Sequence, residues 1–362
     1  MERDSNNKIR VLILYNYLFH YRIPIFKLLA EKYDLTVAYS FGSDNNGNFN
    51  FNIEKKIAYK YKRIVIHKDN IYKYCQQFDA VIAYGDIAWL KVSTLALRKK
   101  RNFKLLFWGI GVSASYNKKF DSIKRWDGIR DFFCKKADGQ IFYSEYPIYK
   151  YINRGYKKET LFVAPNTVEV LNITRNPIDK INIFLFIGSL YSEKGFQSLL
   201  ENYKASYLIN ENIYPLIIIG DGQERQKIVD WISKNKLEEK IHLKGAIYDE
   251  KIISEYFNQA IACISPHQAG LSVLKSMGYG VPFITMNDSI TGGEIFNIIN
   301  NENGILYQNE NDLKNILLDI MQNKQKYYNM GIVAKKYYRS FRTPQDMAKG
   351  LDNAINYVLN EI

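Results

Sequence analysis

Three stretches in the second half of the chain place glycine, small polar residues and lysine just where short apolar runs end. In Phe186-Ile-Gly188-Ser189-Leu-Tyr-Ser-Glu-Lys194-Gly195 an apolar run stops at Gly188 and Gly195 opens a helical pattern. Backbone N–H groups at a helix start plus one ammonium form an anion site, a chemistry that suits a diphosphate. The other reading is a plain strand–turn–helix with a solvated lysine. In Ile217-Ile-Ile-Gly220-Asp-Gly222-Gln-Glu224 a second run ends in a glycine turn. The rest of the dinucleotide fingerprint is missing there, so structural turn glycines are the simpler reading. The third stretch, Ile264-Ser-Pro-His267-Gln268-Ala269-Gly270-Leu271-Ser272-Val-Leu-Lys275, carries most. A strand ends at Ser265, a small-residue turn follows, and a helix starts near Gly270. Its first N–H groups and its dipole make another anion cradle over Gln268–Ser272. Lys275 follows His267 by eight residues, on the helix face expected to look towards the ligand.

The first half offers Tyr15-Asn-Tyr17-Leu-Phe-His20-Tyr-Arg22, after a strand and just before Pro24. His20 could orient or deprotonate a hydroxyl, and Arg22 could contact a phosphate. Alternatively the aromatic residues simply pack the loop and His20 lies at the surface. His67 and His242 sit on strand patterns and read as structural. No Asp-x-Asp occurs in the chain, so a metal-bridged diphosphate is not expected and no metal ligand is assigned. Lysine, backbone dipoles and helix ends would neutralise the anion instead. Cys75, Cys134 and Cys263 are scattered, with no Cys-x-x-Cys, which argues against a disulfide framework or a zinc ribbon.

These residues need a scaffold that delivers loops from strand ends. Apolar, β-branched or aromatic runs predict strands at Lys8–Tyr15, Asp34–Ser40, Arg63–Lys68, Ala80–Tyr84, Lys104–Trp108, Gln140–Ser144 and Thr160–Ala164. Helical patterns lie between several of them, at Ile23–Lys32, Trp89–Lys100, Ser122–Lys136 and Tyr146–Arg154. The second half repeats the scheme, with strands at Asn182–Ile187, Tyr214–Ile219, Ile241–Leu243, Ala262–Ser265, Pro282–Thr285 and Gly304–Tyr307. Its helices are expected at Gly195–Tyr207, Gln223–Lys236, Glu250–Ala260 and Leu271–Gly278. Continuous apolar strands separated by helices predict parallel sheets covered on both faces. Two Rossmann-like α/β domains, about 1–170 and 178–340, joined through the polar stretch Val168–Lys180 and facing each other across a cleft, are therefore expected. A last helix over about 343–362 is expected to pack back on the first domain.

Composition sets the class. The 362 residues are 47% apolar and 24% charged, which fits a globular chain and excludes a disordered one. No apolar run approaches the roughly 20 residues of a membrane-spanning helix, and the first residues lack the pattern of a secretory signal. A soluble, reduced, cytoplasmic protein is expected. The net charge of +13 is uneven: residues 1–180 carry 32 Lys and Arg against 17 Asp and Glu, and residues 181–362 carry 18 against 20. A positive field confined to one half suggests an anionic partner, unless it only reflects a Lys-rich composition bias. The clusters Lys55-Lys56, Arg98–Arg101, Lys118-Lys119 and Lys157-Lys158 are the candidate contacts.

Taken in order, the three loops resemble those of GT-B retaining glycosyltransferases of the glycogen-synthase-like group, family 4. Gly188-Ser189-Leu…Lys194-Gly195, Gly220-Asp-Gly222 and His267…Lys275-Ser-Met-Gly-Tyr-Gly-Val-Pro282 fill the slots of that family's conserved loops. Thr291-Gly-Gly-Glu294 and Asn303-Gly304 match its later loop, and Val163-Ala-Pro-Asn-Thr167 its interdomain strand. The chain departs from the pattern at several places. The two glutamates of the family's E-x7-E segment fall on His267 and Lys275, and its diphosphate-pairing arginine falls on Ser189. Its first-domain histidine falls on Ile110 of Trp108-Gly109-Ile-Gly111.

The resemblance implies transfer of a sugar from a nucleotide-diphosphate donor to a hydroxyl of a glycan, with retention, and no cofactor beyond the nucleotide sugar as co-substrate. It places the donor on Gly188, Ser189, Lys194, Gly220, Gly222, Gln268, Ala269, Gly270, Leu271, Ser272, Lys275 and Glu294. Tyr17, His20, Arg22, Trp108 and Gly109 would meet the acceptor, and His20, His267 and Lys194 would serve catalysis. A lipid-diphosphate-linked oligosaccharide at an anionic membrane surface, in capsule or O-antigen assembly, is the acceptor expected from the basic first half. That would make the protein peripheral on the inner face of the cell membrane. Two other readings stay open, a non-catalytic relative that binds a glycan or partners an active transferase, and a nucleotide-sugar epimerase. No recognised nucleic-acid module is present.

Overall fold

The computed structural model describes residues 8–42, 47–114, 120–122 and 125–360. The Lys118-Lys119 cluster lies outside them. The chain divides into two compact units, one built on residues up to Ser113, Asp121–Asn166 and Pro344 onward, the other on Thr167–Thr343.

The first unit is a seven-stranded sheet. Its strands are β1 (Arg10–Tyr17), β2 (Asp34–Phe41), β3 (Asn52–Lys55), β6 (Ala80–Tyr84), β7 (Lys104–Gly109), β8 (Gly139–Phe142) and β9 (Leu161–Val163). They run in the order β3-β2-β1-β6-β7-β8-β9, all parallel. Apolar residues fill both faces: Val11, Ile13 and Tyr15 join one core and Leu12 and Leu14 the other. That two-sided burial is why the strands read as unbroken apolar runs. The helices are α1 (Ile23–Lys32), α2 (Ile71–Cys75), α3 (Leu90–Ser93), α4 (Asp127–Cys134) and α5 (Tyr146–Asn153).

Three expectations change here. The run Arg63–Lys68 is not a member of the parallel sheet. It forms β5 (Ile64–His67), paired antiparallel with β4 (Ala58–Tyr61) in a separate hairpin. The helix expected over Trp89–Lys100 is a single turn followed by a 3-10 turn at Thr94–Leu97. Its hydroxyls compete for the backbone: Ser93 Oγ donates to Asp86 O, and Thr94 Oγ1 to Lys91 O. The helix expected from Ser122 starts at Asp127.

The second unit is a six-stranded sheet of β10 (Ile183–Ile187), β11 (Leu216–Ile219), β12 (Ile241–Gly245), β13 (Ala260–Ile264), β15 (Phe283–Met286) and β17 (Gly304–Tyr307). Its order is β12-β11-β10-β13-β15-β17, again all parallel. A short ladder joins β14 (Gln268–Ala269) to β16 (Ile290–Thr291). Around the sheet lie α6 (Phe196–Tyr207), α7 (Arg225–Lys234), α8 (Glu250–Gln259), α9 (Leu271–Tyr279), α10 (Asp312–Gln322) and α11 (Lys324–Phe341).

The last helix, α12 (Pro344–Asn360), belongs to the first unit. Asp352 accepts from Lys32 Nζ and from Tyr33 Oη, each at 2.7 Å. Gly350 lies against the Val163 carbonyl, so closely that a Cβ would overlap it. In both units strand order reverses beside the first strand, between β1 and β6 and between β10 and β13. Open α/β sheets bind ligands outside the carboxyl ends of the strands at such a reversal.

Candidate functional site

In the second unit, the loops leaving β10 and β13 flank the reversal, and they carry Lys194 and His267. β10 ends at Ile187 just before Gly188, a 3-10 turn spans Ser192–Lys194, and Gly195 caps α6. Leu190 N–H donates to Asp221 O, and Glu224 N–H to Leu190 O. The Gly220-Asp-Gly222 turn is thereby laced onto the Gly188 loop. At Gly220 (φ 154°) and Gly222 (φ 156°) a Cβ would run into the carbonyls of Gly188 and Leu190. Both glycines permit this backbone approach, in accord with their reading as turn residues.

Lys194 is only 6% exposed, with Nζ 5.4 Å from the Tyr191 ring centre and 5.9 Å from that of Phe186. Among the described residues it makes no ion pair. Burial pulls its pKa down to about 8. The nearby Cys263 thiol is itself buried and pushed up to about 12, so it supplies no negative charge. Keeping the ammonium charged in this place costs on the order of 3 kcal/mol, which a bound anion would offset.

The β13 loop is tied to the β10 loop. His267 N–H donates to Lys194 O at 3.4 Å, and Tyr191 Oη donates to Gln268 Oε1 at 2.5 Å. The His267 ring packs on Gly195, where a Cβ would come within 2.6 Å of its Cγ. His267 Nε2 lies 2.9 Å from Glu310 Oε1. α9 then begins at Leu271 with Gly270 as its N-cap and no side chain capping it. A Cβ on Gly270 would meet nothing within 4 Å, and Ser272 Oγ is a buried hydroxyl with no partner among the described residues. An uncapped helix start, a buried hydroxyl and a buried ammonium on adjoining loops have the chemistry to receive an anion.

Two expected donor residues are occupied otherwise. Lys275 Nζ is paired with Glu250 Oε2 at 2.7 Å, and Glu250 Oε1 also accepts from Tyr279 Oη. Lys275, expected at the donor, thus staples α9 to α8 through Glu250. Glu294 turns into its own loop and accepts from Gly292 N–H at 2.9 Å. Ser189 is exposed. Glu310 and Glu250 had no sequence signal, because their partners lie 43 and 25 residues away.

In the first unit, β1 ends in Tyr17, and a 3-10 turn at His20–Arg22 leads into α1. Tyr17 and His20 are exposed. Arg22, expected to meet a phosphate, is 2% exposed and sits inside the unit. Nη2 donates to Asn166 Oδ1 at 2.8 Å, Nη1 to Met347 Sδ at 2.9 Å, and Nε has no partner among the described residues. Its guanidinium lies 5.0–5.2 Å from the ring centres of Tyr143, Tyr21 and Trp108. Trp108, expected at the acceptor, is likewise a core residue at 1% exposure. Gly109 beyond it is open, since a Cβ there would meet nothing within 4 Å. His67 is structural: Nε2 pairs with Ser40 Oγ at 3.0 Å, and burial, then Lys91, pulls its pKa down to about 4. Among the described residues no three His, Cys, Asp or Glu gather to hold a metal. None of the described helices is long and apolar enough to cross a membrane.

Two tandem Rossmann-like domains with these sheet orders define the α/β fold of the GT-B glycosyltransferases. The structure of Anabaena HepE, solved in complex with UDP, superposes with a TM-score of 0.72 over 96% of this chain and 100% of that one, at 13% identity. Residues 171–337 match the family of glycosyl transferases group 1. An uncharacterized glycosyltransferase of Methanocaldococcus jannaschii is 26% identical over 166 residues, 44% of each chain. The amylovoran biosynthesis glycosyltransferase AmsD of Erwinia amylovora is 28% identical over 119 residues, 32% of each chain. The matched region thus spans under half the length of these curated relatives.

Proposed function

We propose that the protein is a glycosyltransferase that moves a sugar from a nucleoside-diphosphate sugar to a hydroxyl of a glycan. The observation that carries this reading is Lys194, a buried ammonium with no counter-ion among the described residues, at the strand-order reversal of the second unit. A diphosphate has the charge that such a site can accommodate. As the bond from the sugar C1 to the diphosphate oxygen breaks, negative charge grows on the leaving group. Lys194 and the N–H groups at the start of α9 are pre-set to take it up, without a metal. The acceptor oxygen forms the new bond to C1 and its proton passes to a base; His20, exposed in the first unit, is our candidate. We further propose retention at C1, with the acceptor attacking on the face that the diphosphate leaves. The UDP in the HepE structure supports a uridine nucleotide, and the likeness to AmsD, a glycosyltransferase of amylovoran biosynthesis, supports a role in polysaccharide assembly. The excess positive charge of residues 1–180 supports a lipid-diphosphate-linked acceptor at a membrane surface.

A thermal-shift series with UDP, UDP-sugars and GDP-sugars tests the donor. A ligand at 100 times its Kd stabilises by about 2.7 kcal/mol, a shift of several degrees for units of this size. No shift with any nucleotide sugar would overturn the reading. Consumption of a nucleotide sugar to an epimer without acceptor would replace it with the epimerase.

A further inference from the structure

The hairpin β4–β5 stands apart from the parallel sheet, and its two faces differ. Paired residues of an antiparallel ladder share a face, and here Tyr59 opposes Ile66 and Tyr61 opposes Ile64. On the other face, Val65 and His67 are buried. Val65 N–H donates to Ala88 O, and the His67 ring lies 5.5 Å from that of Trp89. The hairpin is therefore held to the first unit by this face and by the edge of β5, which pairs with the Ala88-Trp89 backbone. The outward face carries Ile57, Tyr59, Tyr61, Ile64 and Ile66, exposed by 53, 63, 72, 44 and 44%. A solvated sheet face ordinarily carries polar side chains, so five apolar and aromatic ones together call for a partner.

The surrounding charge says which partner. From Lys55 to Lys68 there are six Lys and Arg and no Asp or Glu. Lys56 is taken by Glu54 and lies over the Tyr74 ring. Lys62, Arg63 and Lys68 are exposed, with Lys62 and Arg63 at the tip between the strands and Lys68 in step with Ile64 and Ile66, whereas Lys60 opposes Val65 on the other face. Tyrosine settles at the level of lipid headgroups, where the ring is buried and the hydroxyl stays wet. Cations beside such a face meet anionic headgroups.

We infer that this hairpin is a membrane-docking element, which lays its Ile57–Ile66 face into the headgroup region of an anionic lipid bilayer. The inference rests on the proposal that the acceptor is presented at a membrane, and it names the surface that would reach it.

Co-sedimentation of the full chain tests it, with vesicles of phosphatidylglycerol and phosphatidylcholine, and of phosphatidylcholine alone. The protein should bind the anionic vesicles, and a part of that binding should survive high salt, because the apolar contact is not screened. Tyr59→Ser with Tyr61→Ser and Ile64→Ser should abolish the salt-resistant part. Lys62→Gln with Arg63→Gln and Lys68→Gln should weaken binding on the order of 100-fold, about fivefold per cation. All of these side chains are exposed, so the melting temperature and its shift with UDP should stay unchanged. The inference is overturned if the wild type ignores anionic vesicles, or if either variant binds as the wild type does. A concentration-dependent dimer that the serine variant loses would assign the face to a second copy, and serine-sensitive binding of RNA would assign it to nucleic acid. Vesicle binding without any shift by UDP would leave the hairpin standing and overturn the donor reading, and the converse would do the reverse.

Discussion

His267 and Glu310 share a hydrogen bond of 2.9 Å between Nε2 and Oε1, 43 residues apart in the chain. The ring is also seated on Gly195, and its residue's N–H reaches Lys194 O. The β10 loop, the β13 loop and the segment after β17 are therefore joined through one imidazole. A carboxylate is thus present beside position 267, supplied from a distant part of the chain.

The pair itself is exposed, and exposed ion pairs contribute at most about 1 kcal/mol to stability. We predict that Glu310→Gln leaves the melting temperature nearly unchanged while altering the KM for the nucleotide sugar or the preference among sugars. Unchanged kinetics with every sugar tested would reduce the pair to a surface contact.

Gly195→Ala should act on the same group more strongly. The new Cβ would stand 2.6 Å from His267 Cγ, and the backbone there has φ 76°, which side chains resist at about 1 kcal/mol or more. The expected outcome is a lower melting temperature, together with a loss of UDP affinity larger than that of Glu310→Gln. Calorimetry on both variants decides; equal UDP affinities would show that His267 placement does not matter to the donor.

Lys194 sets stability against binding. Its folded pKa of about 8 lies below the ordinary value of 10.5, so between pH 8 and 10.5 the unfolded chain binds more protons. Stability from this group therefore rises with pH across that window, and the cost is fully present below pH 8. We predict that Lys194→Met stabilises the ligand-free protein by about 1–3 kcal/mol and weakens UDP binding roughly 10–100-fold. In the wild type, UDP affinity should fall as pH rises past 8. Urea titration and calorimetry check both, and a destabilised variant that binds UDP normally would contradict the assignment.

How much of this could be read from residues alone depended on whether the determining contacts were local. β6 (Ala80–Tyr84), β17 (Gly304–Tyr307) and α1 (Ile23–Lys32) match their expected bounds. Each is punctuated by nearby turn residues and buried on the faces that the pattern implies. Lys194 stood out because glycines bracket it just past a strand. The hairpin β4–β5 was misread because its outward face is apolar, which erases the alternation of a half-solvated strand. Arg22 was read as phosphate-facing from its place in the loop after a strand, and Trp108 as acceptor-facing from the resemblance, yet Arg22 lies against the rings of Tyr21 and Tyr143 and Trp108 packs edge-on with Tyr143. Glu250 and Glu310 were invisible, since pairing across tens of residues leaves no trace in local spacing.

Lys275 separates structural from ligand chemistry. It shares Glu250 with Tyr279, so removing it leaves a partly buried carboxylate with one hydroxyl. We predict that Lys275→Ala costs about 1–2 kcal/mol and leaves UDP affinity within about twofold. Loss of UDP binding at unchanged stability would return Lys275 to the donor site.

His67 gives the first unit an acid limit. Its folded pKa of about 4 lies below the ordinary value of 6.5, because the ring is buried against Ser40 and Trp89 and faces Lys91. Between pH 6.5 and 4 the unfolded chain binds the proton and the folded chain refuses it. Stability is therefore present above pH 6.5 and is lost as pH falls towards 4, by up to about 3 kcal/mol. Asp319 and Asp352 are also held below their ordinary carboxylate values, against burial that opposes it, by hydrogen bonds from Tyr327 and Lys32 among others. Their contributions fade only at lower pH, which leaves the upper part of the window to His67. Hydrogen exchange should thus report β4–β5 amides losing protection between pH 6.5 and 5, ahead of the second unit. His67→Gln keeps a polar partner for Ser40 but has no proton to gain, so its protection should be flat over that interval. If the variant loses protection in step with the wild type, the acid sensitivity of the hairpin comes from another group.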